Sequence, residues 1–478
     1  MNHLSERARP PAWELPVLAA VLAVALILRV RELIATPLWV DEIYILFVAR
    51  QPLTVVLDTI ARDIHPPLWF VLSHAWVALG GSGERWLKSL PLICSLAGIV
   101  GTWALGRRLG GPRAGLVAAG LLALNTAHVH WSQQFEDYSL VWALLVWLVF
   151  TAWRLHERPG RGTAACFLLV GIAALYTDYL ASFVLVLIAA WGIGTLRRDR
   201  GSLRWWLGTF ALLAASFIPQ VPTWVRQFAR EGYGAHFHWP TAGSLVRLAR
   251  IESFGPAWML AVTLGLSVVA IVRPATRRAA VFLLVTFLPV LFATRAWPFV
   301  VQRDMLFVLP FAYVLVSLGL AGVRWRPAQI GLIVILLALA ARRVTTAQPW
   351  AEPVALRRVE TRLRDQTRPG DLLLHAEPHT LFYFEYHLPD RHNRLLAAAG
   401  ERVPYFDSGL MIADSTYWTP EQWREQTAAG PWFALHCDRA FVQFGIPRRA
   451  GTWARALFDS AGADTVVKDP PITLWIRR

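Results

Sequence analysis

The chain has 478 residues, of which 55% are hydrophobic and only 17% charged. That is too apolar for a soluble protein of this size, where about 25% charged is usual, and it points to a polytopic membrane protein. The formal net charge of +15 does not indicate nucleic acid: residues 350–478 hold 16 basic and 16 acidic side chains, so the whole excess lies before them.

The basic residues are almost all arginine, with lysine only at 88 and 468, which reads as a base-composition bias. Cys94, Cys166 and Cys437 are far apart, with no CxxC or Cys/His spacing, so no metal framework or disulfide set is indicated. The first apolar run follows charged residues but no small-residue cleavage site follows it, which reads as an uncleaved first helix.

Apolar runs of about 15–20 residues predict eleven transmembrane helices, over 13–34, 87–106, 114–129, 139–153, 163–177, 180–196, 204–222, 257–272, 279–294, 301–321 and 328–343. The short connections GRRLGGPR, RLHERPGRG, RRDRGSLR, VRPATRR and VRWRPAQ, like the N-terminal segment, are rich in arginine, and eleven spans put all of them on one side. The positive-inside rule makes that side, and the N-terminus, cytoplasmic. The apolar segment 66–81 would reverse every later loop if it crossed. It has His74 at its middle and about 14 residues between Pro67 and Gly81, so it is read as a helix in the outer interface.

The outer side then collects VDE (40–42), DIHPPLW (63–69), HVHWSQQFEDYS (128–139), YTDY (176–179) and TRAWPFVVQRD (294–304). Residues 350–478 also fall outside. Their alternating runs DLLLHAE, WFALHC and ITLWIRR, with turns at Pro369–Gly370 and Pro470–Pro471, read as a small α/β domain. The expected organisation is a transmembrane module, 1–349, and an extracytoplasmic α/β domain, 350–478, in a cell (inner) membrane protein.

The order of these motifs carries a resemblance. An acidic pair follows the first helix, then come DIHPPLWFVLSHAWVALGGSGERWLKSLP, GRRLGG, WSQQFEDYSL, YTDY and QRDMLFVLPFAYVL. In this order they resemble the GT-C glycosyltransferases of the protein mannosyltransferase-like superfamily, which includes bacterial family 39, RgtA/B/C/D-like and aminoarabinose-transferase-like enzymes. The resemblance covers roughly residues 13–343. It implies transfer of a monosaccharide from a polyprenyl-phosphate donor to a lipid, glycan or protein acceptor of the cell envelope, with inversion and no covalent sugar–enzyme intermediate. Partners would be the lipid-linked sugar, the acceptor and membrane lipids. The sequence departs from the pattern at Gln134-Phe135-Glu136, at Asp178, where members often carry His, and at Arg303-Asp304, where they often carry Arg-Tyr.

Such a reaction needs a base for the acceptor hydroxyl, a cation or donor for the departing phosphate, and a site open to lipid. Asp41 is the expected general base, with Glu42 beside it, at the outer end of the first span. Both also read as a solvated helix end. Asp63 and His65, set before Pro66-Pro67, are expected to contact acceptor or phosphate or, for Asp63, to cap the following helix. The second-loop acid of the family falls on Glu136 or Asp137, beside Tyr138. Asp178 faces the site or caps its turn. Arg303 suits a phosphate bidentately, with Asp304 as the rival ion-pair partner.

No cofactor is expected. A divalent metal at Glu136, Asp137, His128 and His130 is not excluded, but histidines two apart diverge on a helix, and the mannosyltransferase-like class generally works without metal. A lipid or solute transporter is the alternative function. It would call for polar residues at mid-span, whereas the acidic residues here gather at one face. A third possibility is a membrane-anchored binding protein acting through the tail.

Overall fold

The computed structural model describes residues 11–31, 33, 36–228, 257–293, 304–347, 351–396, 416–427, 431–437, 455–461, 463–469 and 472–477. The described residues form two compact units: one of Met1–Arg31, Ile60–Trp69 and Lys88–Ala347, the other of Glu32–Thr59, Phe70–Leu87 and Gln348–Arg478. The 32–59 and 70–87 segments of the first loop thus group with the tail.

The first unit is helical. Helix α1 (Glu14–Arg31) is followed by α5 (Glu84–Gly110), α6 (Pro112–Ala123), the short α7 (Thr126–Trp131), α8 (Tyr138–Glu157), α9 (Arg161–Leu175), α10 (Leu180–Leu196), α11 (Arg200–Phe217) and α12 (Val221–Phe228). Then come α13 (Ala257–Val272), α14 (Pro274–Ala293), α15 (Leu309–Leu320) and α16 (Arg326–Thr346). Among the described residues, helix lies within each of the eleven segments expected to span. Three described helices, Glu84–Gly110, Tyr138–Glu157 and Arg326–Thr346, are long and apolar enough to cross a bilayer by length and composition. Turn chemistry marks the breaks. Gly111, at φ +87°, allows the tight turn into α6, where Pro112 occupies the first helical turn. Asp199 caps α11 by accepting from the Gly201 and Ser202 N–H groups.

The core of this unit is apolar and runs along α6, α8, α10 and α15, with Val146, Leu148, Val149, Ile188, Val314 and Leu318 fully buried. Helix α1 is held by charge at both ends. Near its start, buried Glu14 accepts from Arg107 Nε at 2.7 Å and from Trp103 Nε1 at 3.1 Å. Near its end, fully buried Arg29 donates to Ser95 Oγ (2.8 Å), to the carbonyls of Ala25 (2.9 Å) and Ala123 (3.2 Å), and to His128 Nδ1 (2.7 Å). Arginine has no acceptor, so His128 Nδ1 receives this bond and the ring proton sits on Nε2.

The second unit contains α2 (Val40–Ala49), the parts of α3 (Leu53–Arg62) and α4 (Leu68–Gly80) assigned to it, and the tail. Helix α4 has 13 residues, about 20 Å at 1.5 Å per residue, which is short against a hydrocarbon core of about 30 Å. The tail alternates strand and helix: α17 (Ala351–Gln366), β1 (Leu372–His375), α18 (Pro378–His387), β2 (His392–Leu396), β3 (Tyr417–Trp418), α19 (Pro420–Thr427), β4 (Trp432–Cys437), β5 (Thr465–Asp469) and β6 (Ile472–Arg477). Its six strands lie in the order β3-β2-β1-β4-β6-β5. The first four pair in parallel, as alternating strand and helix require, and β6 runs antiparallel to β4 and β5. Trp423, Trp432, Phe458 and Trp475 fill its core. The runs DLLLHAE, WFALHC and ITLWIRR supply β1, β4 and β6.

Close helix packing generates one prediction. A Cβ at Gly319 of α15 would stand 2.0 Å from the carbonyl oxygen of Leu266 in α13, a backbone atom that cannot swing aside. Gly319→Ala is expected to destabilise the protein by about 1–3 kcal/mol. The measurement is a lowered thermal-unfolding midpoint in detergent, set against Gly331→Ala, whose Cβ meets nothing within 4 Å.

Candidate functional site

Asp41 and Glu42 both lie in the first turn of α2, where carboxylates favour the helix dipole, but they face differently. Glu42 is fully buried, and its Oε2 accepts the Trp39 backbone N–H at 3.0 Å, the reciprocal arm of a capping box. Asp41 shares a half-buried face with Tyr44 and Phe47, at the three-residue spacing of one helical stripe. The sequence paired the two acids, whereas the structure gives Glu42 a helix-start role and places Asp41 on the half-buried stripe. Around α2, Tyr44 meets Phe70 edge-on with ring centroids 6.2 Å apart, and His74 Nδ1 lies 2.9 Å from the Ala49 carbonyl.

The other candidates belong to the first unit, where two groups are brought together. In the first, the segment of Asp63 and His65 is tied to the YTDY turn. Gln227 Nε2 donates to the carbonyls of Ile60 (2.8 Å) and His65 (3.3 Å), its Oε1 accepts from Tyr179 (2.6 Å), and the Leu68 N–H donates to the Tyr176 carbonyl (2.8 Å). Asp178 accepts the Leu180 N–H at 2.7 Å, closing the turn that leads into α10. Burial raises its pKa, against the pull of that N–H and of the nearby His65. Asp63 accepts the neighbouring Ile64 N–H at 2.8 Å, a local bond and not one to the helix that follows the prolines. His65 is exposed.

In the second group, Glu136, Asp137 and Tyr138 form the junction of α7 and α8. Glu136 and Tyr138 are buried, and Asp137 stands at the N-cap position of α8. Tyr138 packs edge-on against Trp131, and Phe135 packs against Trp69 of the first loop. Asn125 starts α7 by accepting the His128 N–H (2.8 Å) and donates to the Tyr313 hydroxyl (2.7 Å). His128 and His130 diverge along this helix. His128 faces Arg29 and Trp142, while His130 packs on Trp131, and burial, with the Lys88 charge adding to it, lowers its pKa to about 4. Among the described residues no three His, Cys, Asp or Glu side chains gather as a metal site. Arg303, like Arg295, lies outside the described residues.

Three participants escaped the sequence reading. Lys88 is fully buried beside this junction. A lone lysine in an apolar run was the available signal. Arg29 gave the same signal inside the first span. Gln227 gave none, because a glutamine in a polar stretch is unremarkable until its partners are known.

Residues 64–224 match the family described as dolichyl-phosphate-mannose-protein mannosyltransferase. The structure superposes on that of ArnT from Cupriavidus metallidurans bound to undecaprenyl phosphate with a TM-score of 0.62 at 12% identity, over 97% of this chain and 98% of that one. The chain has the GT-C fold. The apo state of the same ArnT gives 0.60 at 13% identity, over 97% of each chain. The Archaeoglobus fulgidus oligosaccharyltransferase tethered to an acceptor peptide gives 0.53 at 12%, over 90% of this chain and 70% of that one. No curated protein sequence matches. This fold is the one expected of the superfamily that the motif order resembles. The matched family segment begins at Ile64, just after Asp63, contains His65, the α7–α8 junction and the YTDY turn, and ends before Gln227.

The Glu42 bond is testable. Glu42→Ala removes the acceptor of the Trp39 N–H and is expected to cost about 1 kcal/mol. Glu42→Gln, which keeps an acceptor oxygen, should retain most of that stability, as read from thermal unfolding of the two variants side by side.

Proposed function

We propose that this chain is a membrane glycosyltransferase that takes a monosaccharide from a polyprenyl-phosphate donor and attaches it to a cell-envelope acceptor on the extracytoplasmic face. The observation that carries the reading is the GT-C fold, shared along 97% of the chain with a structure holding undecaprenyl phosphate, together with the mannosyltransferase family match over 64–224.

In this reading Asp41 is the general base. It falls where the family's first-loop acid falls, after the first helix, and it stands on the half-buried stripe of α2. An acceptor hydroxyl has far too high a pKa to ionise alone, so a carboxylate must take its proton as the anomeric carbon is attacked. The C–O bond to the lipid phosphate breaks as the new glycosidic bond forms, and inversion follows from this single displacement. The leaving phosphate carries the departing electron pair and needs a cation. Arg303 is the proposed partner because a guanidinium meets phosphate bidentately.

Within the helical unit, the proposed substrate contacts are Asp63, His65 and Asp178, on segments tied together through Gln227 and Tyr179, and Glu136, Asp137 and Tyr138 at the α7–α8 junction. The lipid carrier replaces a nucleotide, so no glycine-rich phosphate loop is needed, and the proposal involves no cofactor or metal. Eleven spans with the N-terminus cytoplasmic complete the topology.

The test is turnover. Purified protein in nanodiscs is incubated with a panel of polyprenyl-phosphate sugars, and released sugar or lipid phosphate is scored. Wild type should turn over at least one donor, and Asp41→Asn should lose at least about a hundredfold in rate, the scale of a positioned base. Equal rates would remove Asp41 from the role.

A further inference from the structure

Helix α2 is only ten residues long, too short to hold itself helical in water. Its support therefore comes from what it packs against, and within its unit that includes α18 of the tail. The end of α2 is fastened partly through Arg50. Arg50, its C-cap, donates from Nε to Ser82 Oγ at 3.3 Å and lies 5.8 Å from the centre of the Tyr386 ring. Tyr386 in turn donates from its hydroxyl to the Ser82 carbonyl at 3.0 Å.

Behind Tyr386 stands a charge cluster. Arg357 of α17 holds both oxygens of Glu84, at 3.0 and 2.8 Å. Arg364 donates to Glu360 Oε1 at 2.9 Å, and Tyr383 donates to Glu360 Oε2 at 2.8 Å. His387, the last residue of α18, lies between the two carboxylates, 3.5 Å from Glu84 through Nε2 and 3.5 Å from Glu360 through Nδ1, stacked on Tyr383 at 4.2 Å. Two guanidiniums already balance two carboxylates. Burial holds His387 below its ordinary pKa, so the ring is neutral at pH 7 and adds no charge to the balance. Such a cluster is costly to assemble and costlier to leave half-paired.

A folded tail needs no such contact with residues 82–84, because the sheet has its own core. The cluster instead joins the segment that follows α4 to α17 and α18, next to the residues that fasten Arg50. We propose that the tail positions the general base: the Glu84–Arg357 pair, continued through His387, Tyr386 and Ser82, holds α2 and with it the Asp41 carboxylate for the transfer step. Arg357 and Glu84 are positioning residues, and their part in turnover rests on the transferase reading above.

The test uses the full chain in nanodiscs with Arg357→Ala, Arg357→Lys, and the charge-exchanged pair Glu84→Arg with Arg357→Glu. Amide exchange over residues 40–49 should speed up about tenfold or more in Arg357→Ala, while β1, β4 and β6 stay as protected as in wild type. With a donor that is turned over, kcat should fall about tenfold and the donor KM should move less than about twofold. Arg357→Lys and the exchanged pair should each recover part of both effects. The proposal is overturned if residues 40–49 exchange at the wild-type rate, if the strands lose protection to the same degree, or if α2 loosens without loss of kcat. Should wild type turn over no donor, the transferase reading fails, and the exchange rates alone decide whether the pair holds α2.

Discussion

A charge taken out of water must find its partner where it stands, and this constraint shapes the protein more than any other. The helical unit can bury Glu14 only because Arg107 and Trp103 reach it, and Arg29 only because a hydroxyl, two carbonyls and an imidazole absorb its donors. Both residues lie on α1, so satisfying them sets that helix against α5, α6 and α7 in one register. A slide of one residue would strand a guanidinium in an apolar bundle.

The same constraint separates the acids. Glu42 accepts the backbone N–H that starts its helix and Asp178 that of the turn before α10, so each has a role in local structure. Asp41 stands on the half-buried stripe of α2, with Tyr44 and Phe47.

Much of this was legible in the chain. Hydrophobic run length located helices over all eleven segments, because a bilayer-length apolar stretch has few alternatives. The strands of the tail showed in short apolar runs between turn signals, since β1, β4 and β6 are interior and buried. The motif order resembled the superfamily whose fold the structure has. The division of the first loop was not legible. That 32–59 and 70–87 group with residues after 348 while Ile60–Trp69 groups with the helices depends on side-chain pairs such as Glu84–Arg357, 273 positions apart. Charges of that kind look alike in a sequence until their partners are known.

By itself, the sequence determined which segments are helical, which loops carry acid and which carry arginine, and what chemistry those residue types suit. These are local properties, written in composition and period. Only the tertiary structure decided which of two neighbouring carboxylates caps a helix, that Gln227 ties the His65 segment to the Tyr179 turn, and that a tail histidine stands between two carboxylates. Each of those outcomes turns on distances of about 3 Å between residues remote in the chain, and hydrogen bonds and ion pairs are strong only at that range.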